Sequence, residues 1–251
     1  MIEFENLSAF YGKKKVLKNI SLTAENGEIT IILGKNGSGK STLFRTLTGL
    51  LGYTGSVRAD GSEVKSTSAN RRGKLIALMP QQLAKPQITV RELVSYGRQP
   101  YTGFSGILSK DDDLAVCRAM EQTQTDVFSD TPADKISGGE LQRAYLAMIM
   151  AQNAPNLALD EPCSHLDPEY GKRTAEFLQN AANEGKAVLA IYHDLNQAME
   201  IAHKIAVLRE GELIFFGSPK DFADSDLPES LFSLRRFECE DESGTKRVFF
   251  A

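Results

Sequence analysis

Cysteine and histidine are scarce in this chain, and where they fall excludes several chemistries. Cys117, Cys163 and Cys239 are odd in number and far apart, with no CxxC pair. Neither a disulfide framework nor a zinc ribbon is written here, and the expectation is reduced thiols in a cytosolic protein. His165, His193 and His203 show no metal-ligand spacing. Long apolar runs are missing too. Runs such as residues 29–33 and 187–192 are strand length, whereas a bilayer-spanning helix needs ~20 apolar residues. The opening Met1-Ile2-Glu3-Phe4-Glu5 has neither the basic nor the apolar region of a signal peptide. A soluble protein is expected, with any membrane role supplied through a partner. There is no basic excess: 29 Lys and Arg stand against 33 Asp and Glu, a net charge of −4. No overall field therefore attracts nucleic acid.

Internal repeats and low-complexity linkers are absent as well. What remains is an ordinary globular composition, 41% apolar and 25% charged over 251 residues. A chain of that size buries a core without disulfides or metals, and suits a single α/β core carrying an inserted subdomain.

The opening reads as strands and turns: Ile2, Phe4 and Leu7 alternate loosely, Tyr11-Gly12-Lys13-Lys14-Lys15 turns, and 16–22 resumes an extended pattern. Glu28-Ile29-Thr30-Ile31-Ile32-Leu33 is β-branched and apolar, a buried strand. A helix is expected over about 40–49. Residues 90–153 look mainly helical, interrupted by a Pro-, Gly- and Ser-rich loop at 99–109. After Pro155 strands and helices alternate: a strand at 157–159, a helix at 169–184 ended by Gly185, a strand at 187–192 and a helix at 194–202. Residues 204–208 and 212–216 flank Glu210-Gly211, a hairpin pattern. A second hairpin is expected in the tail, turning at Ser243-Gly244.

Gly34-Lys35-Asn36-Gly37-Ser38-Gly39-Lys40-Ser41 matches GxxxxGK[ST] at every fixed position, between a buried strand and a helix that continues with Thr42. Its glycines let successive N–H groups face one phosphate, and the helix N-terminus adds its dipole. Lys40 can carry positive charge to the β- and γ-phosphates, and the Ser41 hydroxyl can ligate Mg²⁺. Further on, Asp160 and Glu161 end an apolar strand, where ligands gather in an open parallel sheet. Asp160 suits the metal side, and Glu161 suits general-base work on an attacking water.

Ser137-Gly138-Gly139-Glu140-Leu141-Gln142-Arg143 lies shortly before that acidic pair. With the phosphate loop, this order resembles the ABC ATPase family. The family's usual Leu-Ser-Gly-Gly-Gln here reads Ile136-Ser137-Gly138-Gly139-Glu140, so a carboxylate stands in the last place. The likeness implies a phosphate-loop NTPase core of RecA-like α/β type, an antiparallel β-subdomain and an inserted α-helical subdomain. On this division 1–88 and 154–222 are the core with its β-subdomain, 89–153 the helical subdomain and 223–251 a C-terminal extension.

The resemblance also assigns roles. Ser137, Gly138, Gly139 and Glu140 would meet the ATP held by a second subunit. Tyr11 resembles the aromatic that stacks on adenine. Gln81 resembles the glutamine that reaches Mg²⁺ and the attacking water; Gln82 is adjacent, and the order Pro80-Gln81 selects the first. Ser164-His165-Leu166-Asp167 resembles the loop that crosses the dimer interface through Asp167. His193 resembles the switch histidine of the γ-phosphate, whereas His165 and His203 read as structural. A dimer using ATP and Mg²⁺ is implied, bound to integral-membrane permease subunits on the cytoplasmic face, and served indirectly by a substrate-binding protein.

Residues 89–100, Thr-Val-Arg-Glu-Leu-Val-Ser-Tyr-Gly-Arg-Gln-Pro, resemble more narrowly the ATPases of iron–siderophore, haem and vitamin B12 importers. A soluble assembly or regulatory ABC ATPase shares every other motif and is the alternative. DNA-repair ABC ATPases carry coiled-coil or zinc insertions that this chain lacks, and a kinase would leave Ser137-Gly138-Gly139 unused.

Overall fold

The structure is a computed structural model that describes residues 1–103, 106–163, 166–240 and 246–251. The chain opens with β1 (Ile2–Tyr11) and β2 (Lys14–Ala24), paired antiparallel through the turn at Gly12, as their pattern predicts. Then come β3 (Ile29–Leu33), α1 (Lys40–Thr46), β4 (Tyr53–Ala59), β5 (Ser62–Glu63), α2 (Ala69–Leu75) and β6 (Ile76–Met79). Strands β2-β1-β4-β5 form an antiparallel sheet.

A helical stretch follows, with α3 (Val90–Ser95), α4 (Lys110–Thr123) and α5 (Gly138–Gln152). Each starts on a Ser or Thr cap whose side chain is reciprocated by an acid three residues on: Thr89 with Glu92, Ser109 with Asp112, Ser137 with Glu140. Gly97, in the turn after α3, sits so close to α5 that a Cβ there would lie 2.3 Å from the Met148 carbonyl oxygen.

The second half alternates β7 (Asn156–Asp160), α6 (Pro168–Asn183), β8 (Ala187–Ile191), α7 (Leu195–Ile201) and β9 (Lys204–Arg209), then β10 (Glu212–Gly217). The second sheet runs β10-β9-β3-β8-β7-β6, parallel throughout except for β10. The β9–β10 turn uses Glu210 and Gly211, both at positive φ, the conformation a tight hairpin demands.

Both faces of the parallel sheet are covered. Ile29, Ile31, Leu33, Leu157, Leu159, Val188 and Ala190 join the core that includes α3, α4, α5 and α6. Ile32, Ala158, Leu189, Ile191 and Ala206 join the core shared with α1 and the antiparallel sheet. This double burial explains why β3, β7 and β8 read as continuous apolar runs rather than alternating ones.

The tail supplies α8 (Pro219–Ala223), α9 (Leu227–Phe232) and the expected hairpin β11 (Arg236–Glu240) with β12 (Lys246–Phe250). Its turn at Ser243-Gly244 lies outside the described residues. The hairpin docks on α7, where the Asn196 side chain accepts from the Phe250 N–H at 2.8 Å and donates to its carbonyl at 3.0 Å. Phe250 itself lies edge-on to Phe222 in the core.

Candidate functional site

The loop from Gly34 to Ser41 leaves the C-terminal end of β3, the centre of the parallel sheet. Gly34 has φ 151°, and a Cβ there would lie 2.3 Å from the Leu208 carbonyl oxygen. Gly39 caps α1 at φ 110°, and a Cβ there would strike Leu17 at 2.6 Å. Only glycine fits either place, so the loop's curl is fixed by its own sequence. The β9–β10 turn buttresses it through the Gly211 N–H, which donates to the Ser38 carbonyl at 2.9 Å.

Lys40 is buried and folded back on this loop, donating to the Gly34 carbonyl at 2.6 Å and the Lys35 carbonyl at 3.2 Å. Burial pushes its pKa down, and the nearby Glu161 and Asp160 charges partly restore it. The cation is thus parked on neutral acceptors that a stronger anion can displace. The buried Ser38 Oγ has no hydrogen-bond partner among the described residues. Such an unpartnered group is costly inside a protein and fits a polar ligand in this loop.

Asp160 ends β7, and desolvation pushes its carboxyl up to about 6 against the pull of a Ser41 hydrogen bond. Its Oδ1 is likewise buried and unpartnered. A carboxylate beside a hydroxyl, with one oxygen left orphaned, is a hard oxygen donor set that fits Mg²⁺. Among the described residues no group of three or more His, Cys, Asp or Glu side chains forms a metal site.

Glu161 follows at φ 57°, a left-handed conformation rare for a non-glycine residue. Three bonds hold its backbone and its neighbour's. The Glu161 N–H donates to Ile191 at 3.1 Å, while the buried Gln142 Nε2 donates to the carbonyls of Glu161 at 3.1 Å and Pro162 at 2.8 Å. The side chain is also held: Oε1 lies 2.5 Å from Gln81 Nε2 and 2.6 Å from His193 Nε2. Gln81 follows β6, and His193 follows β8 by way of the buried Tyr192. Four strand ends therefore converge, as an open parallel sheet directs.

A cavity of about 180 Å³ is lined by Gln81, Asp160, Glu161, Gln142 and Gly138, so the start of α5 borders the same space. Ser137 caps α5, accepting the Glu140 N–H, while the Glu140 carboxylate accepts the Ser137 N–H at 2.8 Å. Hydrogen bonds to it from the Ser137 side chain and the Ser137 N–H hold the Glu140 carboxyl below the usual range. A Cβ at Gly138 would meet nothing within 4 Å, so the backbone there faces open space. Asp167 caps α6 through the Tyr170 N–H at 3.0 Å. Tyr11 is 41% exposed, and its hydroxyl accepts from Arg45 of α1 at 3.1 Å. Lys35 and Asn36 form the exposed rim of the loop, and Thr42 is buried in α1. His203 has the structural setting expected of it, its Nδ1 accepting the Ile29 N–H at 3.1 Å. Ser164 and His165 lie outside the described residues.

A model of the ABC transporter family matches residues 17–164. The chain belongs to that family. Among ABC transport proteins it is 37% identical to the ferric enterobactin transport ATP-binding protein of Escherichia coli strain K12, over 97% of this chain and 92% of that one. It is 31% identical to the iron(3+)-hydroxamate import ATP-binding protein of Bacillus subtilis strain 168, over 92% and 87%. Among solved structures, a dimeric ATP-binding cassette bound to ADP and phosphate after hydrolysis superposes with TM-score 0.78 at 27% identity, covering 87% of this chain and 99% of that one. An inward-facing ABC transporter shares the fold at TM-score 0.83, 23% identity, over 100% and 96%. The α/β class and the ABC ATPase reading expected from the motifs are thereby established.

Reading the ABC motifs in order did not single out Gln142. A lone glutamine on a helix reads as surface, and only its place between the apolar Leu141 and the buried Ala144 and Tyr145 hints otherwise.

Proposed function

We propose that this chain is the ATP-hydrolysing subunit of an importer for ferric siderophores or related metal chelates, working as a pair on the cytoplasmic face of a membrane permease. Relatives 31% to 37% identical over nearly their full lengths, with iron-chelate import names, support the cargo class. No helix among the described residues is long and apolar enough to cross a membrane, which agrees with a peripheral subunit whose pore is a separate chain.

The observation that carries the catalytic reading is the contact of Glu161 Oε1 with both Gln81 and His193, beside the phosphate loop and Asp160. In this reading Tyr11 stacks on adenine, the 34–42 loop cradles the phosphates, and Lys40 swings from its carbonyls to the β- and γ-phosphates. Asp160, Ser41 and Gln81 would hold Mg²⁺, which when bound neutralises triphosphate charge. Glu161 accepts a proton from water as the water oxygen bonds to the γ-phosphorus. The bond from that phosphorus to the β–γ bridging oxygen breaks, and ADP leaves with the bridging oxygen.

His193 then donates to the γ-phosphate rather than to Glu161. Ser137, Gly138 and Gly139 offer one hydroxyl and the first free N–H groups of α5 to the triphosphate bound by the second copy, and Asp167 crosses beside them. ATP is the glue, and hydrolysis releases it.

Glu161→Gln keeps the shape and loses the base. Size-exclusion chromatography with light scattering should find it dimeric with MgATP, monomeric without, and inactive. A variant that hydrolyses at the wild-type rate, or stays monomeric with ATP bound, contradicts the assignment.

A further inference from the structure

Arg143 projects from the second turn of α5, and its guanidinium is gripped on several sides. It donates to the Tyr170 hydroxyl at 2.9 Å and to the carbonyls of Gln124 at 3.2 Å and Thr123 at 3.4 Å. It also stacks 4.2 Å above the Tyr170 ring and 5.4 Å from that of Phe128. The Tyr170 hydroxyl in turn donates to Gln124 Oε1 at 2.6 Å. Gln124 ends α4 in a left-handed turn (φ 53°), so the carbonyls of that helix end point at the cation.

Tyr170 lies in the first turn of α6, and its backbone N–H holds the Asp167 carboxylate. One residue therefore ties Asp167 by its main chain and the Ser137 helix by its side chain. Beyond this tie the helices separate. A cleft of about 950 Å³ opens between α4, the end of α5 and α6, lined by Arg118, Gln122, Met150, Arg173 and Phe177. Among the residues that line it, Lys186 reaches Asn153 at 2.9 Å.

We propose that Arg143 and Tyr170 are positioning residues that lock the Ser137 end of α5 in register with the Asp167 segment, so that both meet the nucleotide of the second copy together. The idea rests on the two-copy reading above. Without the tie, the cleft gives α4 and α5 room to swing against α6. A displacement of about 1 Å at Ser137 is enough to cost catalysis.

The test uses Tyr170→Phe, which keeps the stacked ring and removes two hydrogen bonds, and Arg143→Ala. In a Glu161→Gln background, sedimentation gives the dissociation constant of the ATP-loaded dimer; in the wild-type background, steady-state kinetics give kcat and KM. Each variant should weaken the dimer about tenfold and lower kcat by a similar factor. Binding of a fluorescent ATP analogue to the monomer should stay within about twofold. The double variant should be no worse than Arg143→Ala, and Arg143→Lys should recover part of the loss.

Dimer constants unchanged in both single variants overturn the proposal, as does a loss that appears equally in monomer nucleotide affinity. If Glu161→Gln with the clasp intact fails to dimerise with ATP bound, the two-copy reading falls and the clasp with it. If it dimerises and the clasp variants dimerise equally well, the clasp alone is wrong.

Discussion

His193 Nε2 lies 2.6 Å from Glu161 Oε1, although the two residues sit at the ends of different strands. A carboxylate oxygen accepts, so the ring's Nε2–H is the donor in this contact. The proposed base is thus oriented by protein groups, His193 on one side and Gln81 on the other.

His193→Ala should therefore lower kcat about a hundredfold, the scale of losing one oriented group in a water-activating site. ATP binding to the monomer, which depends on Lys40 and the loop backbone, should change by less than about threefold. Parallel ATPase assays and a fluorescence titration make the comparison, and equal losses in both would contradict it.

Gln142 should matter for stability and turnover together. Gln142→Ala removes the hydrogen bonds to the carbonyls of Glu161 and Pro162 in a largely buried place, at a cost of about 1–3 kcal/mol. Urea unfolding should show a lower midpoint with an unchanged slope, and kcat should fall because Glu161 loses its backbone support. Leucine at this position should be no better than alanine, since it restores neither hydrogen bond.

The phosphate loop was legible in the sequence because its constraints are local: eight consecutive residues, two glycines that tolerate no Cβ, and a strand before and a helix after. The convergence of Gln81, Asp160, Glu161 and His193 was legible only through the order of family motifs, since no local pattern says that β6, β7 and β8 lie side by side. The stretch from 53 to 79 escaped reading as individual elements. There β6 is only four residues long, and β4 carries Gly55 at positive φ, so neither shows a clean period. The contact of Arg143 with Tyr170 was invisible for a different reason: it joins residues 27 apart on two helices, each of which reads separately as an ordinary solvent face.

Asp160 gives a pH signature. Its carboxyl titrates near 6 in the folded chain against 3.8 ordinarily. Between those values the folded state holds a proton that the unfolded state has released, so this group's contribution to stability falls as pH rises from about 4 to about 6 and stays low above. Asp160→Asn removes the penalty. The nucleotide-free variant should melt higher than wild type at pH 7.5, by about 2–4 °C for each kcal/mol relieved. The difference should vanish near pH 4; a variant that melts lower at pH 7.5 contradicts the burial argument.

Glu140 places a negative charge where the second copy's triphosphate is expected. Glu140→Gln keeps an acceptor for the Ser137 N–H and removes that charge. The ATP-loaded dimer should tighten about two- to fivefold at low salt and less at high salt. The monomer should lose slight stability, because an acid at that position favours the helix start. Opposite signs in sedimentation and thermal melting separate the two effects, and a weakened dimer would count against the placement.

The most direct measurement is an experimental structure of the Glu161→Gln protein with MgATP. It should contain two copies, with Ser137 of one within hydrogen-bonding distance of the γ-phosphate held by Lys40 of the other. ATP bound at Lys40 with Ser137 remote from every γ-phosphate would contradict the account.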